Sequence, residues 1–378
     1  MPKLERESVT LPIWKADCRH FRGDVPCEPH KREGVHCADC PHYDAIESRI
    51  LIIKLGTIGD VIRTTPILHR LRRDFPRSHV TWLTDFPAVV PTSAVDQVMT
   101  PALPDLLRVG ITEFDLLLNL DKDPVACALA VRIPARTKKG FILRDGLPAP
   151  ADDDARAKFA AGIFDDVSKA NRKSYVEEIF EIAGWRWEGE EYILDRTEVD
   201  RTWRLTSPRP RVGLNTGCGG RWTSRLWPEE NWIQLARELR QSGLGVILLG
   251  GEAEEERNRR IAGASGAEYP GHFPLAEFID LVDQTDLVVS AVTMAMHIAI
   301  GLRKQLVLFN NIFNRHEFEL YGRGLILEPS IPCDCYYKPS CPKECMRSIE
   351  VPRVLEACLR LAATPEARSR APSQSSRS

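Results

Sequence analysis

Residues 55 to 66, LGTIGDVIRTTP, follow the apolar run RILIIK and lead into a helical pattern, so Asp60 stands just after two glycines, Gly56 and Gly59, at the mouth of a strand. Such an aspartate has two readings. It caps the following helix, for which Asp is among the best residues, or it is a carboxylate placed to accept a proton from a substrate. The loop is neither GxGxxG nor GxxxxGK[ST], and no acid lies where a dinucleotide fold would use one for ribose.

A second stretch, GLNTGCGGRWTSRLWPEENW (residues 213 to 232), opens from a strand into a glycine-rich loop. Backbone N–H groups around Thr216 and Gly217, with the guanidinium groups of Arg221 and Arg225, suit a diphosphate whose oxygens accept paired hydrogen bonds. Trp227 and Trp232 read as packing residues beside a helix start at WPEENW. A third stretch, VVSAVTMAMHIAIG, begins a helix near Thr293 whose free N–H groups and partial positive charge favour a phosphate. His297 lies one turn into it, as a structural imidazole or a ligand-facing one. In LLGGEAEEERNRRIA, Glu252 is placed to accept from ribose hydroxyls, whereas Glu254 to Glu256 read as a solvated first turn.

Eight of the eleven cysteines fall in two clusters, Cys18, Cys27, Cys37 and Cys40 (C-x8-C-x9-C-x2-C) and Cys333, Cys335, Cys341 and Cys345 (C-x-C-x5-C-x3-C). Clustered thiols in a cytosolic chain bind metal or do chemistry more often than they form disulfides. Both clusters are expected to hold structural metal, zinc ahead of an iron–sulfur cluster because nothing in the sequence suggests electron transfer. The alternatives are free thiols, or two clusters that meet in space. No cysteine has a His/Asn relay, so a thiol nucleophile is not expected.

The elements that must position these groups alternate. Strand 50–55, helix 60–74, strand HVTWLT, a possible strand DQVMTP, strand FDLLLNL, a helix near 123–132 and strand KKGFIL make a first unit. Strand RVGLNTG, helix 229–242, strand GVILLGG, helices 252–263 and 275–283, strand DLVVS, helix 294–302 and strand QLVLFN make a second. Continuous apolar strands alternating with helices predict parallel sheets covered on both faces. Two such α/β halves put a cleft between the carboxyl ends of their strands.

The expected division is a Cys-rich segment 1–48, a Rossmann-like domain 49–190, a second Rossmann-like domain 205–330, a Cys-rich segment with a terminal helix 331–362, and a disordered tail 363–378. Segment 144–174 reads as polar and acidic, with PAPADDDARAK (148–158) looped and partly mobile, and helix 174–184 as ending at a glycine cap. The 51 Lys and Arg against 53 Asp and Glu leave no basic field for nucleic acid. No run of about 18 apolar residues occurs, and the N-terminus lacks a secretory apolar run, so a cytoplasmic protein is expected, with peripheral contact at the inner membrane face for a lipid-linked substrate.

The four ordered motifs, ILIIKLGTIGDVIRTTPILHRLRRDFPRSHVTWLT, VGLNTGCGGRWTSRLWPEENW, VILLGGEAEEE and MHIAIGL, resemble glycosyltransferase family 9, the ADP-heptose:lipopolysaccharide heptosyltransferases, over roughly residues 49 to 325. The resemblance implies a GT-B fold and an inverting transfer that needs no metal for the chemistry itself. It matches Asp60 to the family's general base, Arg225 to a cation that is often Lys, and Thr293 and His297 to a D-T-G-x-x-H stretch. This chain departs where Val292 and Met294 replace that stretch's aspartate and glycine; Met294 still offers its backbone N–H. The implied donor is a nucleotide diphosphate sugar, ADP-heptose, and the implied acceptor a lipid-linked or lipopolysaccharide-core glycan. Two further readings stay open: a non-catalytic nucleotide-sugar-binding or assembly protein, and another GT-B enzyme such as a nucleotide-sugar epimerase.

Overall fold

The computed structural model describes residues 12–196 and 199–363. The tail expected to be disordered lies, from residue 364 onward, outside the described residues.

Among the described residues, eleven strands form two sheets. β1 (Ser48–Ile53), β2 (Ser78–Leu83), β3 (Gln97–Met99), β4 (Phe114–Asn119), β5 (Ala135–Arg144) and β6 (Leu147–Pro150) lie in the order β3-β2-β1-β4-β5-β6. All pairs are parallel except β5 with β6. β7 (Arg211–Asn215), β8 (Gly245–Leu249), β9 (Leu287–Ala291), β10 (Gln305–Phe309) and β11 (Gly324–Leu327) lie wholly parallel in the order β11-β10-β9-β7-β8. β9 and β10, and β1 from Ile50 onward, are buried along their length, which is why they read as continuous hydrophobic runs.

This is the expected α/β architecture of two parallel-sheet halves. In each sheet the strand order reverses at one point, between β1 and β4 in the first and between β7 and β9 in the second. Connections leave in opposite directions there, so a crevice opens at the carboxyl ends of those strands. The segments following β1, β4, β7 and β9 are those that begin at Lys54, Leu120, Thr216 and Val292.

Three local expectations are corrected. The helix read as 60–74 is two, Ile58–Ile62 and Ile67–Asp74. Pro66 has no N–H to continue the ladder, and the Thr64 and Thr65 hydroxyls donate to the Asp60 and Ile62 carbonyls at 2.7 Å, turning the chain between them. The stretch read as a loop, 148–158, is ordered structure: it completes β6, makes a 3-10 turn at Asp153–Ala155 and opens the helix Arg156–Ala161, with a further helix Asp165–Ala170 after it. Asp145 and Gly146 both have positive φ, 52° and 79°, the two-residue Asp-Gly hairpin turn that folds β6 back on β5. β11 was not anticipated, its GLIL run being only four residues long.

Trp227 and Trp232 are packing residues. They meet edge to face at 4.9 Å, against Phe309, inside the second core. The helix Tyr175–Ile182 starts with a full capping box between Ser174 and Glu177, and Gly184 follows it with φ 77°.

Candidate functional site

One cavity of about 740 Å³ lies between the two halves and takes its walls from both. Thr57, Gly59, Asp60 and Arg63 line it from the first half. Gly217, Arg225, Glu254, Thr293, Met294 and His297 line it from the second. Of the residues expected from sequence, Gly59, Asp60, Gly217, Arg225, Thr293, Met294 and His297 therefore share one space.

Asp60 is not a helix cap. Thr57 occupies that position for the helix Ile58–Ile62, and Asp60 sits in its first turn. Its Oδ1 accepts from Arg63 Nη2 at 2.6 Å and its Oδ2 from the Thr57 hydroxyl at 2.9 Å. Each oxygen keeps a second lone pair, and the side chain is 28% exposed to the cleft. Burial alone would push this carboxyl up, but Arg63, Lys54 and the Thr57 hydroxyl outweigh it and hold Asp60 well below the usual carboxylate range. The group is ionised at every physiological pH. Arg63 is itself fixed over the Tyr175 ring, 3.4 Å from its centroid.

The loop before Asp60 is anchored from below. Gly56 N–H donates to Asp121 Oδ2 at 2.7 Å, and Lys54 pairs with the same oxygen at 3.5 Å. Gly56 thus acts through the backbone, beneath the cleft. Gly59 is needed for space: a Cβ there would lie 2.5 Å from Cδ2 of His297. The two halves touch at that point.

Arg225 is buried at the opposite wall. Its Nη2 donates to the Cys218 carbonyl at 2.9 Å and its Nη1 to the Val292 carbonyl, while Nε has no partner. Among the described residues no carboxylate pairs with it. Burial pulls its pKa down from the ordinary arginine value, the mark of a cation held out of water without a counter-charge. Val292, which takes the place of an acid, contributes its carbonyl to orienting that cation.

Thr293 begins the helix Met294–Gly301 without capping it through its side chain. Its hydroxyl instead meets Asn215 Nδ2 at 3.2 Å and the Ser290 hydroxyl at 3.0 Å. The helix's first N–H groups therefore remain open toward the cavity. His297 is buried, stacked on Tyr192 at 6.1 Å, and its Nδ1 is unpartnered. Burial, aided by Arg63, takes its pKa down to about 3, so the imidazole is neutral.

Four expected residues sit elsewhere. Gly56 and Thr216 lie under their loops, Thr216 with its hydroxyl bonded to Asn258. Arg221 is exposed, its guanidinium 5.4 Å from the Trp222 ring, and Glu252 is exposed on a short 3-10 turn. The residue that enters the cleft is Glu254, whose carboxylate accepts from Gly251 N–H at 3.0 Å. It lies so close to Gly217 that a Cβ on Gly217 would fall 2.1 Å from its Oε1. A 3-10 turn over Glu252–Glu254 delays the helix to Glu255–Ser265, which the run EAEEE does not disclose.

A second cavity of about 440 Å³ also reaches Asp60, Arg63, Glu317 and Tyr337, then runs into the first half past Lys54, Lys122, Lys158 and Glu178. Burial and the neighbouring Lys158 pull the Lys122 pKa down, and burial raises that of Glu178. Asp60 thus stands where two chambers meet. Sequence reasoning missed Arg63, Asp121, Glu254, Glu317 and Tyr337; Asp121 alone carried a signal, as an acid directly after a buried strand.

The C-terminal cysteines form one group. Their four sulfurs all lie within 4.8 Å of one another, with Cys333 to Cys341 at 3.3 Å and Cys335 to Cys345 at 3.6 Å. Four thiolates about 2.3 Å from one ion stand about 3.8 Å apart, so the donor set fits a single tetrahedral metal ion. Asn311 Nδ2 donates toward Cys345 at 3.5 Å. The intervening loop binds the arginine loop directly: Ser224 N–H and hydroxyl donate to the Pro339 and Lys338 carbonyls at 2.9 and 2.8 Å. Tyr337, from the same loop, donates to Glu317 at 2.9 Å at the junction of the two chambers. The N-terminal cysteines pack instead beside the first sheet, so the two clusters do not meet.

Residues 175–316 match the model of glycosyltransferase family 9 (heptosyltransferase), bearing out the resemblance and supporting glycosyltransferase activity. No curated protein matches the chain. Among solved structures, a family 9 glycosyltransferase from Veillonella parvula DSM 2008 aligns with a TM-score of 0.62 at 19% identity, covering 83% of this chain and 97% of its own. The E. coli ADP-heptose LPS heptosyltransferase II aligns at 0.61 and 17% identity, covering 83% and 98%. The iron-containing dodecameric glycosyltransferase TibC from enterotoxigenic E. coli H10407 aligns at 0.53 and 13%, covering 83% and 76%. The shared feature is the fold, two parallel-sheet domains of GT-B type. Among the described residues no helix is long and apolar enough to cross a membrane.

Proposed function

We propose that the protein is an inverting glycosyltransferase that moves a sugar, heptose, from a nucleotide diphosphate donor, ADP-heptose, to a lipopolysaccharide-core or related cell-envelope glycan. The observation that carries this reading is the facing of an ionised Asp60 and an unpaired, buried Arg225 across one cleft. The E. coli relative named for ADP-heptose and LPS supports the choice of donor and acceptor. In this reading residues 49–190 serve the acceptor and 205–330 the donor.

The donor's diphosphate would lie between Arg225 and the open start of the helix Met294–Gly301, with Glu254 toward the ribose. Phe273, Leu275 and Phe278 give the cleft an apolar end suited to a nucleobase. The acceptor hydroxyl, approaching through the lysine-lined chamber, attacks the anomeric carbon from the face opposite the diphosphate. Its new C–O bond forms as the bond to the diphosphate oxygen breaks, and its proton passes to Asp60. Arg63 makes Asp60 a weak base, which matters less here because the hydroxyl becomes acidic only as its bond to the sugar forms. The charge growing on the leaving diphosphate meets Arg225 and the helix N–H groups, which exist before reaction and need no reorganisation. His297, neutral and packed on Gly59, holds the two halves at the working distance.

Metal has no step in this scheme. The C-terminal thiols would hold one zinc or iron ion and thereby fix the loop that carries Tyr337, which in turn holds the loop of Arg225 through Ser224; zinc is the first choice, and TibC is an iron-containing neighbour. The missing acid at Val292 favours one competing reading, a nucleotide-sugar-binding protein without turnover. Incubation with ADP-, UDP- and GDP-sugars and a core-oligosaccharide acceptor separates them. Glycosylated product of inverted anomeric configuration, formed from the ADP-sugar alone, is expected; donor binding without product under any pairing refutes the transferase.

A further inference from the structure

The four N-terminal cysteines differ in geometry from the C-terminal four. Cys18, Cys27, Cys37 and Cys40 all line one small void, together with Lys15, His20, Phe21, Pro29, His42 and Tyr43. None is in a disulfide. No three of their sulfurs lie within 4.8 Å of one another, in contrast to the C-terminal set. The centre of a water-sized sphere can move through about 20 Å³ of the void, so adding the sphere's own radius makes the space roughly 6 Å across.

A single tetrahedral ion requires all its sulfurs about 3.8 Å apart, given metal–sulfur bonds of about 2.3 Å. Four thiols spread around a shared hollow fit a larger body, one that offers each sulfur its own metal atom. Of the nearby imidazoles, His42 Nε2 bonds Glu33 at 2.7 Å and His30 Nδ1 the Val35 carbonyl at 2.9 Å, while His20 lines the void from an exposed position. The four thiols are the donors common to one wall-to-wall space. We propose that Cys18, Cys27, Cys37 and Cys40 hold a polynuclear iron–sulfur cluster, a site separate from the mononuclear C-terminal one. This reverses, for this cluster, the zinc expected from sequence, and it does not rest on the transfer reaction.

The location assigns the cluster a structural role. Arg19, next to Cys18, pairs with Asp44 at 2.9 Å and with Asp96, and donates to the Ser78 carbonyl at 2.9 Å. Ile46 N–H donates to the Asp17 carbonyl at 2.7 Å. These anchors sit at the amino ends of β1, β2 and β3, whereas Asp60 follows the carboxyl end of β1. Six strand residues, about 20 Å, separate them. The segment from residue 12 to 47 has almost no apolar core of its own, Cys18 and Pro29 being its buried side chains. Ligation would supply its folding energy, each thiol releasing its proton to solvent.

The test uses the full chain expressed with iron supplementation and purified without oxygen or chelator. Iron, zinc and acid-labile sulfide are measured per chain in the wild type, in Cys37→Ser/Cys40→Ser and in Cys341→Ser/Cys345→Ser. The expected result is acid-labile sulfide with several irons per chain, lost in the first variant and retained in the second. Wild-type protein without labile sulfide, or with zinc alone at both sites, overturns the proposal. So does sulfide that survives in Cys37→Ser/Cys40→Ser. Should that variant be insoluble, Cys27→Ser and the wild-type sulfide content decide.

Discussion

Replacing Arg225 with Met separates the stability of the site from its function. In the ligand-free protein the guanidinium is buried with two carbonyl partners and no counter-charge. Removing it strands the Cys218 and Val292 carbonyls, at about 1–3 kcal/mol each. It also removes the penalty of an unpaired buried ion, again several kcal/mol. The two nearly cancel, so unfolding stability should change by no more than about 2 kcal/mol, a few degrees in Tm. Binding is different, because a desolvated pair between Arg225 and a diphosphate is lost whole. Truncating one partner of such a pair costs about 2–5 kcal/mol, a loss in ADP affinity of about 30- to several-thousand-fold. The assay is thermal unfolding with and without ADP, backed by calorimetric titration. At ADP a thousand times above the wild-type Kd, ligand stabilisation of about 4 kcal/mol should fall to about 2 or less in the variant. An ADP-induced shift equal to wild type in a folded Arg225→Met protein would refute the placement of the diphosphate.

Gly59→Ala should drive a methyl into the His297 ring, 2.5 Å away, costing about 1–3 kcal/mol and slowing turnover by spreading the halves; Gly110→Ala, in open space, is the control and should leave both unchanged or slightly improved. Because the His297 pKa is taken from 6.5 down to about 3, the unfolded chain binds a proton there that the folded one refuses. Stability from this residue is therefore complete above about pH 6.5 and lost as pH falls toward 3, by about 2 kcal/mol at pH 5. Denaturant titration of His297→Gln should show that part of the pH dependence gone, and an unchanged slope between pH 5 and 7 would contradict it. Stripping metal from the C-terminal thiols, or Cys341→Ser/Cys345→Ser, should weaken ADP binding and raise hydrogen exchange in residues 218–226, since Ser224 is bonded to the loop they fold; exchange confined to residues 331–348 would mean that the two loops are not coupled.

The legible part of this fold was its periodicity. Runs such as RILII, VILLG and LVVSA are apolar on both faces because parallel strands are buried on both faces, so strand and helix order could be read directly. What failed was local chemistry that competes with periodicity. Pro66 and two threonine hydroxyls cut one helix in two, and an Asp-Gly turn made a hairpin from an apparently open segment, a signal present at residues 145 and 146 but submerged in polar sequence. At the site, the residues borne by strand ends and helix starts were legible. Arg63 was not, since a charge three residues after an aspartate on a helix reads as a solvated pair, yet it fixes the protonation of Asp60. Glu254 was missed in favour of Glu252 because a single 3-10 turn decides which acid of an acidic run faces inward. The void among the N-terminal sulfurs was also invisible, because spacing gives the number of ligands and not the distance between them.

In the proposed transfer Asp60 is the base that faces the leaving-group cation, Arg225. The direct measurement is the single-turnover rate of Asp60→Asn with ADP-heptose and a core acceptor, alongside ADP affinity. Asn keeps the shape and the Thr57 contact and loses the proton acceptor, so the rate should fall about 10²- to 10⁴-fold with ADP affinity within a few-fold of wild type. A rate within a few-fold of wild type, in a variant that binds ADP normally, would contradict the account.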